Sequence, residues 1–542
     1  MRTPVLFLLS CTLCLAAHSQ SGQENMPDFT SPEQAWWNVL HYSIAIRPDF
    51  RTRTLSGTNA IEFRALRPGR ELLLDLSAPM KIRSVRWRGR LLPVFPKADG
   101  ALVRFPRQIA AGELITIDVA FEGHPREAVN PPWEGGWIWK KDSLGRPWMS
   151  LADESPGGML WLPCKNASYD EPDSGVTLSI TVPDTLVGVG NGRLLGRHPA
   201  AAAAGPAAAP VAGWTTWEWA VTNPINNYDI CPYVGKYVTW HHNYAGLKSN
   251  LDCDYWVLDY NREKAERHLR DVDTLMSCFE YWMGPYPFYA DSYKVVESLM
   301  AGMEHQSGIA YGNGFEDGYR GKNLSGTPWG LRWDFILVHE SGHEWFGNSI
   351  SANSWQHGWI HEGFTKYLET LYTTWLFGTE AGNDYTLGIW KRIRNDQPII
   401  GSGTSDEYNK SCAMLHMIRQ IVGDSAFRRC LHDLNTRYYH STVNTAEVMA
   451  CVNQSTGRDF SLVFKQYLTT TRVPVLEYRL EGDSLAYRWT NCVQGFEMPV
   501  KVSPAGGVGF FINPGERWQK VRWPGGALIV DRNFYVSAKA VN

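Results

Sequence analysis

Phe335-Ile-Leu-Val-His339-Glu340-Ser-Gly-His343-Glu344-Trp345-Phe346 is the stretch that decides how this chain is read. It is apolar enough to predict a buried helix, and helical residues four apart stand one above the other on the same face. His339 and His343 can therefore offer imidazole nitrogens to one cation, with Glu340 beside them. Without a cation, two imidazoles on an apolar face need other polar partners to offset their desolvation. With 15 histidines in the chain, H-E-x-x-H is only suggestive by itself. A third donor strengthens it. Nineteen residues after His343, Trp359-Ile-His-Glu362-Gly-Phe-Thr-Lys-Tyr-Leu-Glu369 predicts a second helix, and the loop between lets Glu362 fold back onto the histidines. Two imidazoles and a carboxylate suit one zinc ion with an open fourth position. His357 and His361 compete for the third place, but are read as surface or lining residues.

Outward from this segment the pattern changes twice. From Trp36 to Tyr260 the chain runs in short alternating stretches, such as His41-Tyr-Ser-Ile-Ala-Ile46 and Val176-Thr-Leu-Ser-Ile-Thr-Val182, separated by Gly, Pro and Asp. That pattern predicts an all-β layer. Pro199 to Gly213 is nearly all Ala, Pro and Gly; Pro206 and Pro210 argue against a helix, so an exposed loop insertion is expected. Near Asn261 apolar residues take up helical spacing, clearest from Glu263 to Met283, and helical segments continue to Leu468. A strand-like passage at Tyr293 to Tyr311 interrupts them. Beyond Val473-Pro474 alternation returns. The expectation is a multi-domain α+β chain: signal peptide 1–19, β domain 20–259, mostly helical catalytic domain 260–472 and a small β module 473–542.

The 542 residues are too many for one core, and a net charge of -3 without long runs of one sign gives no reason to propose nucleic acid or a membrane surface as partner. The 24 Trp and 24 Tyr are read first as large sheet surfaces and packed grooves. Pro4 to Ala17 is an apolar run of secretory length, and Ala17-His18-Ser19 places a cleavage site before Gln20; export to a periplasmic or extracellular space is expected. A lipoprotein signal at Leu8-Leu-Ser-Cys11 is the rival reading. Cysteines 164, 231, 253, 278, 412, 430, 451 and 492 remain after cleavage, without the tight spacing of a cysteine zinc site.

His339 to Asn348 (H-E-S-G-H-E-W-F-G-N) and Trp359 to Phe364 (W-I-H-E-G-F) resemble the aminopeptidase N family of gluzincin zinc metallopeptidases, which includes leukotriene hydrolase. The β–α–β layout matches too, over nearly the whole mature chain, in a short form without the long C-terminal helical domain of larger members. The resemblance implies a saddle-like N-terminal β domain, a thermolysin-like catalytic domain and a C-terminal β-sandwich-like module. It implies one zinc per monomer and a peptide substrate with a free N-terminus. Ala301-Gly302-Met303-Glu304-His305 resembles the family's G-x-M-E-N substrate-binding loop, with Ala for Gly and His for Asn. Glu304 is thereby expected to hold the substrate α-amine together with Glu154, which stands nine residues before Pro163 as a family Gln or Glu does. The imidazole of His305 puts the backbone contacts of the family Asn in doubt and adds a titrating group near the bound amine.

Chemistry assigns the remaining roles. Glu340, next to the first ligand, is the expected base for water and then the proton donor to the leaving nitrogen. Tyr408 resembles the tyrosine of the family's Y-E-K-G segment, ahead of a helix, and is expected to stabilise the oxyanion. Glu369 lies two helical turns beyond Glu362 on the same face, and is expected to accept the free N–H of a ligand histidine. The leading reading is a zinc aminopeptidase. Alternatives are a peptide-binding scaffold without catalysis, a zinc endopeptidase and an epoxide hydrolase.

Overall fold

The computed structural model describes residues 31–131, 134–201 and 210–541, and the expected signal peptide lies outside them. In the first part, alternation along Tyr42-Ser-Ile-Ala-Ile-Arg47 buries every second side chain and exposes the others. The strands Trp37–Asp49, Thr54–Ala65, Leu114–Gly123, Lys81–Trp87 and Arg90–Leu91 follow one another across an eight-stranded sheet. On the other side of Trp37–Asp49 lie Val176–Pro183, Pro210–Val221 and Arg193–Ala201. Pairing is antiparallel except between Trp37–Asp49 and Val176–Pro183, where Tyr42 faces Val176 in parallel register. The expected Ala-rich insertion joins the paired strands Arg193–Ala201 and Pro210–Val221; its central residues, 202–209, lie outside the described residues. A four-stranded sheet (Val187–Val189, Tyr233–Gly235, Pro147–Ala152, Gly136–Lys141) and a three-stranded one complete this β part.

A five-stranded sheet follows, ordered Tyr237–Ala245, Asn250–Leu258, Tyr293–Glu297, Ile309–Tyr311, Gly302–Met303. The short strand Gly302–Met303 lies at its edge. The helices of this part are α1 (Arg262–His268), α2 (Val272–Met283), α3 (Phe335–Gly342), α4 (Trp359–Phe377), α5 (Thr379–Trp390), α6 (Asp406–Val422), α7 (Asp424–Arg437), α8 (Thr445–Thr456) and α9 (Ser461–Thr469); α1 and α3 touch the sheet, and α4 packs between α3 and α6. Two small sheets end the chain, and in one of them Ser537–Ala540 pairs in parallel with Val475–Glu481. No helix among the described residues is long and apolar enough to cross a membrane.

Two apolar cores result. The first fills the β part and takes in Val296, Met300, Met303 and Ala310 from the second. The second runs from Tyr244 through α2 to α9 and continues without a break into the last strands, through Leu476, Trp489, Trp523 and Phe534. Lys294 marks the seam between them. Buried under the Trp219 ring, its Nζ donates to the carbonyls of Gly190, at 2.8 Å, and Gly192. All eight cysteines outside the signal segment are free thiols, seven of them buried.

Candidate metal centre

Asp334 caps α3, its Oδ1 accepting from the Leu337 N–H at 3.0 Å, and every residue of the helix is buried. The hydrogen-bonded helix is shorter than the apolar stretch. It ends at Gly342, and His343 keeps helical dihedrals as the C-cap (φ -64°, ψ -20°). Those angles suffice to keep His343 one turn above His339, with the two Nε2 atoms 3.3 Å apart. Each ring is fixed from behind. His339 Nδ1 lies 2.9 Å from Glu369 Oε1, and His343 Nδ1 lies 3.0 Å from the Phe346 carbonyl. Both contacts need a donating Nδ1–H, so the two Nε2 lone pairs face each other and the gap between them.

Glu362, in the first turn of α4, closes this gap. Its Oε2 stands 3.3 Å from His339 Nε2 and 3.6 Å from His343 Nε2, yet makes no hydrogen bond. Its Oε1 accepts from the Tyr408 hydroxyl at 2.6 Å. Two lone pairs and a buried carboxylate oxygen, all within 4.8 Å of one another, form a donor set that a divalent cation fits. Glu369 is itself held by Lys366 Nζ at 3.0 Å and by the Tyr385 hydroxyl at 2.6 Å. Burial resists its charge, but Lys366 and His339 outweigh burial and keep the carboxyl below its ordinary range.

Glu340 lies against the edge strand. A Cβ on Gly302 would overlap the Glu340 carboxylate, so only glycine lets the strand approach this closely. Burial pushes the Glu340 carboxyl well above the usual range; His339 pulls it down, and Glu304 and Glu362 push it up. Ligand atoms of Glu304, Glu340 and His343 also lie within 4.8 Å of one another, so Glu304 flanks the metal set. The Tyr228 hydroxyl reaches Glu304 Oε1 at 3.4 Å, and Asn348 Nδ2 donates to the Glu304 carbonyl at 2.8 Å. Glu154 is solvent-exposed but surrounded by protein, and makes no hydrogen bond or ion pair among the described residues. Desolvation, and then Glu304, Glu362 and Glu407, raise its carboxyl well above the ordinary range. An acidic wall thus stands beside the metal set.

Other expected residues are placed differently. Tyr408 lies within the first turn of α6 rather than ahead of the helix, and burial keeps its phenol protonated. The His305 ring is fully buried, bonded on both nitrogens, and pushed down to about 3 by burial. It therefore adds no titrating group to the cleft near neutrality, contrary to the expectation from its sequence position. Ala301 and Met303 are buried in the second and first cores respectively. His361 Nε2 accepts from the Ala352 N–H at 2.7 Å, and His357 Nδ1 meets Thr445 Oγ1 at 2.9 Å, which occupies both elsewhere. Sequence reading missed Tyr228, Asn348, Lys366, Tyr385 and Glu407. Lys366, three residues before Glu369 on one helix, Asn348, at the end of the histidine motif, and Glu407, beside Tyr408, were findable; Tyr228 and Tyr385 arrive from other segments.

Known proteins resemble this chain in sequence and in fold. Residues 274–398 match the peptidase family M1 domain. The chain is 21% identical over 498 residues to aminopeptidase M1-D of Oryza sativa subsp. japonica, covering 87% of this chain and 53% of that one. It is 23% identical over 355 residues to aminopeptidase N of Streptomyces lividans, covering 59% and 38%. The chain spans about half the length of the first of these curated relatives, and less of the second. A two-domain M1 zinc metallopeptidase bound to L-tryptophan shares the fold with a TM-score of 0.69 at 19% identity, covering 84% of this chain and 99% of that chain. The M1 zinc metallopeptidase from Deinococcus radiodurans does so with 0.65 at 20%, covering 81% and 94%.

Proposed function

From the peptidase family M1 domain that the chain carries, we propose that it is an exported zinc aminopeptidase, releasing the first residue of peptides with a free N-terminus. The carrying observation is the donor set: two Nε2 lone pairs and an unbonded Glu362 oxygen converge, with Glu340 and Glu304 immediately beside them. When bound there by His339, His343 and Glu362, zinc supplies a Lewis acid that polarises a carbonyl and acidifies a water. Glu340 takes the proton of the attacking water. Its raised affinity for protons suits it to hold that proton and hand it to the leaving nitrogen. The Tyr408 hydroxyl turns from Glu362 Oε1 to donate to the oxygen on which charge develops. Glu304 and Glu154 accept hydrogen bonds from the substrate ammonium, whose charge offsets their mutual repulsion.

Aminoacyl 4-nitroanilides test the proposal against their N-acetyl counterparts. Zinc-loaded protein is expected to cleave the free amines, to lose activity on chelation and to regain it with zinc. Glu340→Gln should lower kcat by about 10³-fold at unchanged zinc content. Equal cleavage of acetylated and free substrates would make the protein an endopeptidase. Stoichiometric zinc without turnover, or no zinc at all, would leave a peptide-binding scaffold.

A further inference from the structure

Glu304 and Glu154 reach the same cleft from different halves of the molecule, and each has a fully buried neighbour in sequence. Asp153 precedes Glu154 just beyond the strand Pro147–Ala152, and His305 follows Glu304 just beyond Gly302–Met303. These two neighbours meet: His305 Nε2 lies 3.3 Å from Asp153 Oδ1. We propose that Asp153 and His305 are positioning residues, a buried link that sets the spacing of the two glutamates and thereby the recognition of the substrate ammonium. This rests on the assignment of Glu304 and Glu154 to the amine.

The hydrogen bonds fix the hydrogen of the His305 ring on Nδ1, and burial selects the neutral form of the pair. The Tyr233 hydroxyl has a single proton and gives it to the Gly308 carbonyl at 2.8 Å. It must then accept from His305, whose Nδ1 is 2.6 Å away, so Nδ1 carries the hydrogen. Nε2 of the neutral ring is left as an acceptor, and the Asp153 contact requires a protonated carboxyl as donor. Burial favours both neutral forms: it pushes the imidazole down to about 3 and the Asp153 carboxyl well above its ordinary range, Glu304 adding to the latter. The relay runs from the Asp153 O–H through the His305 ring and the Tyr233 hydroxyl to the Gly308 carbonyl.

The relay carries no net charge, so it joins the two loops without setting a third anion beneath the carboxylates. Both of its ends are anchored. Tyr233 belongs to the strand that pairs with Pro147–Ala152, Met149 facing Val234. The turn after Glu304 is held from the other side by Asn191 Nδ2 on the Gln306 carbonyl at 2.7 Å, and by Glu344 Oε1, which accepts from the Ser307 N–H at 2.8 Å. Ser307 itself takes a positive φ of 50°, a conformation that those bonds maintain. Cutting the relay frees one loop relative to the other while leaving the metal donors untouched.

Steady-state kinetics on leucine 4-nitroanilide and its N-acetyl form decide the matter. Asp153→Leu removes the donor and should raise KM for the free amine about tenfold, with kcat and zinc content within about twofold of wild type. Asp153→Asn keeps an uncharged N–H donor and should restore KM to within about twofold. Tyr233→Phe removes one atom from the other end and should raise KM about threefold; it decides alone if Asp153→Leu does not fold. A purely architectural role predicts fewer active molecules, hence lower kcat at constant KM, and that result overturns the proposal. Unchanged KM in both Asp153→Leu and Tyr233→Phe, while Glu304→Gln raises it, overturns the link but keeps the clamp. If Glu304→Gln also leaves KM and the preference for free amines unchanged, the clamp fails and the link with it.

Discussion

At the scale of single residues, two contacts set the chemistry. The Gly302 backbone lies against the Glu340 carboxylate where no side chain fits. Gly302→Ala should therefore displace Glu340, the proposed base, and lower kcat about 10²-fold, while zinc content, measured by metal analysis, stays at wild type because Glu340 is not among the proposed ligands. Glu369 holds the His339 ring from behind, with Lys366 and Tyr385 holding Glu369 in turn. Glu369→Gln should weaken zinc affinity by about 10- to 100-fold, seen as faster release to a chromogenic chelator; an unchanged release rate would remove Glu369 from metal retention. Helical spacing was enough to place Glu369 near a histidine, because i and i+7 share a face. Spacing could not reveal Tyr385, which comes from the next helix, nor that the His305 ring turns inward to Asp153, a residue 152 positions away.

At the scale of elements, the site depends on how α4 and α6 approach. Gly363, next to Glu362, faces α6, and a Cβ there would stand 2.5 Å from Ser411 Cβ. Alanine for glycine inside a helix ordinarily stabilises by about 1 kcal/mol. Overpacking costs about 1–3 kcal/mol, so the clash should win. Gly363→Ala is expected to lower the urea midpoint, and also kcat, since separating the helices draws Tyr408 away from Glu362. Equal or higher stability would mean that the helices have room to part. The sequence marked α3 and α4 by apolar spacing, and the β layer by alternation. It misplaced Tyr408 relative to its helix and ran the first helix on through Phe346, because an apolar run does not reveal where backbone bonding stops. Cap geometry does, and that depends on the turn through Gly347, at φ 130°.

At the scale of the molecule, the two cores are tied rather than merely adjacent. Glu297 shows how: its Oε2 accepts from the Leu258 N–H at 2.8 Å, and its Oε1 from Asn261 Nδ2 at 2.6 Å, where the β part gives way to α1. Burial pushes its carboxyl from 4.5 up to about 7, against the pull of those two donors. A carboxyl raised in the folded state favours folding at low pH, and its contribution is lost as pH rises through about 7. Relative to Glu297→Gln, the wild type should therefore lose up to about 3 kcal/mol between pH 4.5 and 7. Urea unfolding of both proteins across that range measures the difference, and the comparison cancels the histidines that titrate there. A flat difference would mean that Glu297 stays ionised in the fold. The continuity of the second core into the final strands bears on how the protein is made. His339, His343 and Glu362 leave the ribosome well before Trp523 and Phe534, which cover the same core. Until those residues emerge, the nascent helices display an open apolar flank, so the interval of synthesis in which the three candidate metal donors already exist is also one in which the chain is prone to aggregate.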